Sequence, residues 1–261
     1  MSLPLQLCEQ IHAECINSVL KIQINRPAQK NALSLAMYQS LADALGWAQT
    51  AAEVRVVRIT GSGDSFTSGN DLADFLAAPE LTEAHPARQF MRAVMGLQKP
   101  LVAEVNGAAV GIGTTLLLHC DLVYACEDAF FQLPFVKLGL CPEFGASALL
   151  ADRVGVARAR GMLMLGEPVT ASAAYRFGLI NEVYSDERLV GEVDWVCREL
   201  ASRPPHALAV TKQLLRARDQ LDLEAVIEAE LVEFSQCLSG DECRAAVQKL
   251  MSANKTSGDK E

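Results

Sequence analysis

Apolar and polar positions divide the chain into recognisable elements. Across residues 16–25, Val19, Leu20, Ile22 and Ile24 enclose Lys21 and Gln23, the period-two alternation of a half-buried strand, which Arg26 and Pro27 end. From Ser34, a good N-cap, to about Ala51 the period lengthens, with Leu35, Tyr38, Leu41, Leu45 and Ala48 recurring at helical spacing. Residues 54–60 are apolar with little interruption and stop at Gly61-Ser62-Gly63, as a buried strand does. The same plan then recurs. Residues 85–97 predict a helix, Lys99-Pro100 breaks it, and residues 101–105 predict a short strand halted by Asn106-Gly107. Beyond Gly111 and Gly113, residues 114–120 are apolar on nearly every side and predict a buried helix, followed by short strands at 121–126 and 129–132. Strands alternating with helices, with glycine turns at strand ends, predict an α/β core.

From Gly145 onward the strands are expected to stop. Residues 146–154, 157–165, 171–177, 187–202, 205–220, 223–238 and 241–252 predict helices, and residues 253–261 a frayed end. Pro204-Pro205 marks the boundary between a core over residues 1–203 and a helical region over 204–261. Three amphipathic helices cannot bury their stripes alone, so this region is expected to pack on the core or on a neighbouring subunit.

Composition narrows the functional classes. The chain has 261 residues, half of them apolar, and a formal net charge of −9, which argues against nucleic acid or an anionic membrane as a partner. Eight cysteines fall at 8, 15, 120, 126, 141, 197, 237 and 243 without a CxxC pair, as expected of reduced thiols. The histidines stand in no metal spacing. His119 beside Cys120 is no ligand pair, because helical neighbours point about 100° apart, so no metal is expected. No apolar run approaches the about 20 residues that span a bilayer, and neither end of the chain carries a secretory or peroxisomal signal. A cytoplasmic location is the expectation.

Candidate chemistry gathers in two segments built alike. Val56-Val57-Arg58-Ile59-Thr60 leads through Gly61-Ser62-Gly63 to Ser68-Gly69-Asn70-Asp71-Leu72, and Leu101-Val102-Ala103-Glu104-Val105 leads through Asn106-Gly107 to Gly111-Ile112-Gly113-Thr114. In each, a buried strand delivers a glycine-bearing loop into a helix start, where backbone N–H groups are unpaired. Two such donors aimed at one point make an oxyanion hole, and two ordinary structural turns fit the same pattern.

These segments, with Asn25-Arg26-Pro27 and Asn31-Ala32-Leu33, resemble the crotonase (enoyl-CoA hydratase/isomerase) superfamily from about residue 14 to 250. The resemblance implies an α/β, ClpP-like spiral of repeated ββα units with a C-terminal helical trimerisation region. It implies an acyl-CoA thioester as substrate, no cofactor, and a homotrimer or dimer of trimers. It also implies that the thioester oxygen accepts from the backbone N–H groups of Asn70 and Ile112, and that Ser68, Gly69, Asn70, Asp71 and Leu72 contact the substrate.

Acidic residues decide which reaction. Hydratases of the family carry two glutamates, and the matching positions here hold Thr115 and Phe135, neither able to move a proton as a carboxylate does. A different carboxylate stands in Gly139-Leu140-Cys141-Pro142-Glu143-Phe144-Gly145, which resembles the Ser-Pro-Glu-Gly stretch of peroxisomal-type Δ3,Δ2-enoyl-CoA isomerases except at Cys141 and Phe144. The resemblance implies Glu143 as the catalytic base of an isomerase in fatty acid β-oxidation; a helix-N-terminal carboxylate is the alternative role. Asp71 and Asp121 read as capping or structural. Phe75, Leu76, Phe90, Met91 and Met95 are candidates for an acyl tunnel or for plain core, and Arg26 and Lys30 are the nearest cations for CoA. The other readings are a hydratase or thioester hydrolase acting through Glu143, and a noncatalytic CoA-binding module.

Overall fold

In the computed structural model, which describes residues 4–77, 80–217 and 223–258, the chain enters through a hairpin of β1 (Ile11–Ile16) and β2 (Val19–Ile24). Asn17 and Ser18 connect them with φ of 50° and 63°. Two positive φ values in a two-residue connection suit the twist of a hairpin. The strand expected from residue 16 therefore begins at Val19, and Ile16 closes the strand before it. A 3₁₀ turn (Pro27–Gln29) leads to α1 (Leu35–Thr50), where the Ser34 hydroxyl accepts from the Met37 N–H as a cap should.

Three strand pairs follow. β3 (Val56–Gly61) and β4 (Ser65–Thr67) precede α2 (Leu72–Ala77) and α3 (Pro86–Gly96). β5 (Leu101–Val105) and β6 (Ala108–Val110) precede α4 (Ile112–Thr115), which tightens into a 3₁₀ turn at Leu116–His119. β7 (Leu122–Cys126) and β8 (Phe130–Gln132) precede a 3₁₀ turn (Phe135–Leu138), α5 (Ala146–Val154) and α6 (Val156–Leu165). The first strand of each pair enters a six-stranded sheet, in which every residue of β3 and β5 is buried; the second enters a four-stranded sheet. Unbroken burial suits parallel strands covered on both faces. This is the spiral of ββα units expected for the crotonase fold.

Strands do not stop at Gly145. After α6 come β9 (Val169–Thr170), α7 (Ala171–Phe177), β10 (Glu182–Tyr184) and α8 (Asp186–Ser202). β9 pairs antiparallel with β8, and β10 extends the large sheet parallel to β7. Strands of two and three residues are too short to carry a readable alternation. The remaining helices are α9 (Pro205–Ala217), α10 (Leu223–Ser239) and α11 (Asp241–Gly258). α11 stays helical past residue 253, where fraying was expected, and residues 218–220 of the expected 205–220 helix lie outside the described residues. α10 packs on α2 and α5, burying Ile227, Glu230, Leu231, Phe234 and Leu238, while α11 packs on the Phe135–Leu138 turn. Each buried Leu or Phe contributes about 1.5–3 kcal/mol, so α10 is held to the core largely by its own stripe. No described helix is long and apolar enough to cross a membrane.

Candidate active site

The site residues come from loops that follow three parallel strands of the small sheet. β4 pairs with β6, and β6 with β8, so their C-terminal loops emerge side by side. Asn70 lies in the first loop, Ile112 in the second and Glu143 in the third. The first two loops touch through their backbones: a Cβ on Gly69, whose φ is +97°, would lie 2.9 Å from the Val110 carbonyl oxygen. The second and third are tied by the Gly111 N–H, which donates to Gln132 O at 2.9 Å. Gly111 itself has φ 56° and ψ −121°, a combination that a side chain opposes.

Both backbone donors are turned out of their local ladders. Leu33 N–H donates to Gly69 O and Asp71 N–H to Leu33 O, at 2.8 and 2.9 Å, forming a parallel bridge in which Asn70 faces Leu33. In that pattern Asn70 points its own N–H away from Leu33. Ile112 opens α4, where a first-turn N–H has no carbonyl behind it, while the next donors, Thr114 and Thr115 N–H, both return to Gly111 O. The Asn70 side chain is held from α1, its Oδ1 accepting from the Tyr38 hydroxyl. Burial keeps that phenol well above its ordinary pKa, with Glu143 adding to the effect, so Tyr38 stays a neutral donor.

Glu143 is buried, with 2% of its surface exposed. Its Oε1 accepts from the Thr115 hydroxyl at 2.6 Å. Burial pushes its pKa up to about 8; the Thr115 bond works against that rise and the charge of Glu230 adds to it. Glu230 reaches the loop from α10, its carboxylate accepting from Gly145 N–H at 2.6 Å and Ser147 N–H at 2.9 Å. It thereby caps α5, the role open to Glu143 from the sequence.

Tyr38, Asn70, Phe75, Leu81, Ala87, Arg88, Met91, Glu143, Leu231 and Phe234 enclose a cavity of about 10 Å³ in which Glu143 is the one carboxyl among the described residues. Of the residues singled out in the sequence, the structure therefore brings Asn70, Glu143, Phe75 and Met91 to one cavity. Ile112 is buried without lining it, and Ser68, Gly69, Asp71 and Leu72, expected to contact the substrate, do not line it either. Asp71 accepts from Arg26 at 2.7 Å and caps Ala73 N–H. Burial pushes its carboxyl up, but Arg26 prevails and holds it below the ordinary value. Asp121 likewise accepts from Leu101 N–H and Lys212. Phe90 is core, 5.5 Å from the Tyr38 ring and 6.4 Å from that of Phe144, while Leu76 and Met95 lie off the cavity. Phe135 packs edge-on against Phe234. Sequence reasoning passed over Tyr38, Leu231 and Phe234, whose helical spacing signals only a core stripe, and Glu230, an acid of an amphipathic helix. No metal-holding group of His, Cys, Asp or Glu occurs among the described residues.

A spiral of strand pairs with two glycine loops beside a buried carboxyl defines a protein of the crotonase fold. The chain belongs to the enoyl-CoA hydratase/isomerase family, which it matches over residues 14–256. It is 37% identical over 239 residues to enoyl-CoA delta isomerase 2 of Rattus norvegicus, covering 89% of this chain and 61% of that protein. It is 35% identical over 220 residues to 2,3-dehydroadipyl-CoA hydratase of Escherichia coli K12, covering 83% and 86%. Among solved structures, Pseudomonas aeruginosa OdaA superposes with a TM-score of 0.90 at 41% identity, over 93% of this chain and 99% of that one. The chain thus spans under two thirds of the rat isomerase's length. Isomerase and hydratase relatives are similarly near, so the reaction has to be argued from the site.

Proposed function

We propose that the protein is a Δ3,Δ2-enoyl-CoA isomerase that shifts the double bond of a 3-enoyl-CoA into conjugation with the thioester, as in the oxidation of unsaturated fatty acids. The observation that carries this reading is that Glu143 is, among the described residues, the one carboxyl lining the cavity it shares with Asn70. Hydration calls for groups that activate water and protonate carbon, whereas Thr115 and Phe135 stand at the hydratase positions. Moving a double bond needs a single base.

In this mechanism Glu143 takes a proton from the α carbon, which the carbonyl and the adjacent alkene both acidify. The C–H electrons pass into a dienolate whose oxygen accepts from the N–H groups of Asn70 and Ile112. Glu143 then returns the same proton to the γ carbon, leaving the 2-enoyl thioester and a regenerated carboxylate. No atom is gained or lost, and no cofactor enters. Each oxyanion donor of this kind is worth about 2.7–4 kcal/mol of barrier. A base with a pKa of about 8 suits work near neutral pH, strong enough to take a carbon acid's proton and still partly ionised. Anchoring Oε1 on Thr115 leaves Oε2 to carry the proton.

The test is incubation of the purified protein with 3-hexenoyl-CoA while conjugated-enoyl absorbance and product mass are followed. Isomerisation raises absorbance at unchanged mass, hydration adds a water, and hydrolysis frees the CoA thiol; either of the latter as main product overturns the proposal. Glu143→Ala is expected to lose about 10²-fold or more, and retention of over about a tenth of the rate removes Glu143 as the base.

A further inference from the structure

We propose that His119 and Glu230 are positioning residues for Glu143, clamping the Phe144–Gly145 peptide from opposite partners; the inference rests on Glu143 being the base. The imidazole Nε2 lies 2.8 Å from Phe144 O, and the Glu230 carboxylate accepts from Gly145 N–H at 2.6 Å. The carbonyl and the N–H of a single peptide unit are thus both held, by a group from the 3₁₀ turn after α4 and a group from α10.

This peptide needs holding. Phe144 has φ +57° and Gly145 has φ +74°. A left-handed conformation is ordinary for glycine and an outlier for a bulky residue, and it persists only where the surroundings over-determine it. The surroundings do so here. The Phe144 ring is fully buried and stacks on the His119 ring, with centroids 3.8 Å apart and planes 17° from parallel. His119 therefore grips Phe144 by ring and by carbonyl. Burial pushes the imidazole down to about 4, the Phe144 carbonyl opposing and Arg216 and Arg153 reinforcing the fall, so the ring is neutral with one N–H. A carbonyl only accepts, which places that hydrogen on Nε2.

Position matters because Glu143 is the residue before the strained one. Relaxation of Phe144 to negative φ rotates the Glu143–Phe144 peptide and swings the carboxyl off Thr115. Ile112, Thr115 and His119 also lie within one short run of chain, α4 and the 3₁₀ turn that continues it. One short segment thereby carries a backbone donor of the site, the hydroxyl on the base and the clamp on the base's neighbour.

His119→Phe keeps a stacking ring and removes the donor, whereas His119→Gln keeps a donor. His119→Phe is expected to lower kcat by about 10²-fold and to leave KM within about twofold, with His119→Gln recovering most of the loss. In a Phe144→Gly background, where glycine holds φ +57° unaided, His119→Phe is expected to lower kcat by less than about threefold. A His119→Phe protein that melts earlier yet keeps kcat overturns the proposal, as does an equal loss in both backgrounds. Crystal structures of the His119→Phe and His119→Gln proteins supply a readout independent of turnover. The proposal requires Phe144 φ to leave the positive region and the Thr115–Glu143 bond to break in the first and not in the second. If the parent protein isomerises no 3-enoyl-CoA, the functional reading fails while those structures still decide the clamp.

Discussion

Thr115 Oγ1 lies 2.6 Å from Glu143 Oε1, so a hydroxyl on α4 anchors the carboxyl of a loop that follows another strand pair. In the hydratase pattern the Thr115 position carries a glutamate. Two carboxyls there would share protons and titrate as a pair; a threonine leaves one titrating group and a fixed donor. A hydrogen bond to a charged group is worth about 1.5–3 kcal/mol. Thr115→Val, which keeps the shape and loses the donor, is therefore expected to move the midpoint of the kcat/KM pH profile above about 8 and to lower the rate at pH 7 at least about tenfold. Thr115→Ser is expected to stay within about twofold of the parent. A pH profile of isomerisation for the three proteins checks this.

Glu143 and His119 also shape stability. Glu143 rises on folding from 4.5 to about 8, so the folded chain binds its proton between those values and loses stability as pH climbs through that window. His119 falls on folding from 6.5 to about 4, so its contribution is complete above 6.5 and is lost as pH drops toward 4. Between about 4.5 and 6.5 the two proton counts cancel, and between about 6.5 and 8 only Glu143 gives a slope. Glu143→Gln is expected to gain stability on the parent by a margin that widens throughout pH 5 to 8, by up to about 1.4 kcal/mol for each pH unit. Urea unfolding of both proteins across pH 5 to 8 measures the margin, and a margin independent of pH contradicts the buried acid.

What the sequence disclosed here follows from the range over which each signal acts. Ser34 and its helix, β3 and β5, and the glycine loops are written locally, in periodicity and in residues that backbone sterics require. The fold and the family were legible from these. Glu143 was legible as a motif, while its burial and its partner were not. The β1–β2 hairpin was hidden because Asn17-Ser18 adopts a geometry usually marked by glycine. β9 and β10 were hidden because strands so short exist only through the neighbours they pair with. Tyr38 and Glu230 occupy helix positions where sequence predicts a core stripe and a solvated acid. Only the tertiary fold brings Tyr38 to Asn70 and Glu230 to Gly145, 85 residues away.

Gly69 and Gly155 separate backbone strain from loss of the site. Both have positive φ, +97° and +84°, but a Cβ on Gly69 meets Val110 O at 2.9 Å whereas one on Gly155 meets nothing within 4 Å. Each substitution by alanine is expected to destabilise by about 1–3 kcal/mol through backbone strain. Gly69→Ala also pushes apart the loops that carry Asn70 and Ile112, so kcat is expected to fall about 10²-fold. Gly155→Ala is expected to keep kcat. Melting temperatures with initial rates for both variants test the distinction, which fails if the rates fall together.

Glu230 gives the C-terminal helices a direct hold on the loop that carries Glu143. Its two oxygens accept from Gly145 and Ser147 N–H, and its charge raises the pKa of Glu143. Glu230→Gln replaces one acceptor by an NH₂ that faces a donor, leaving a buried N–H unpaired at a cost of about 1–3 kcal/mol. The same change removes a negative charge, so Glu143 ionises more readily and the midpoint of the pH profile moves down, opposite to Thr115→Val. If the Phe144–Gly145 peptide loosens as well, the plateau rate falls while the midpoint drops. A lower plateau with a lower midpoint is therefore expected for Glu230→Gln, read from kcat against pH at saturating substrate. A lowered melting temperature with both plateau and midpoint unchanged would mean that α10 serves the fold and not the base.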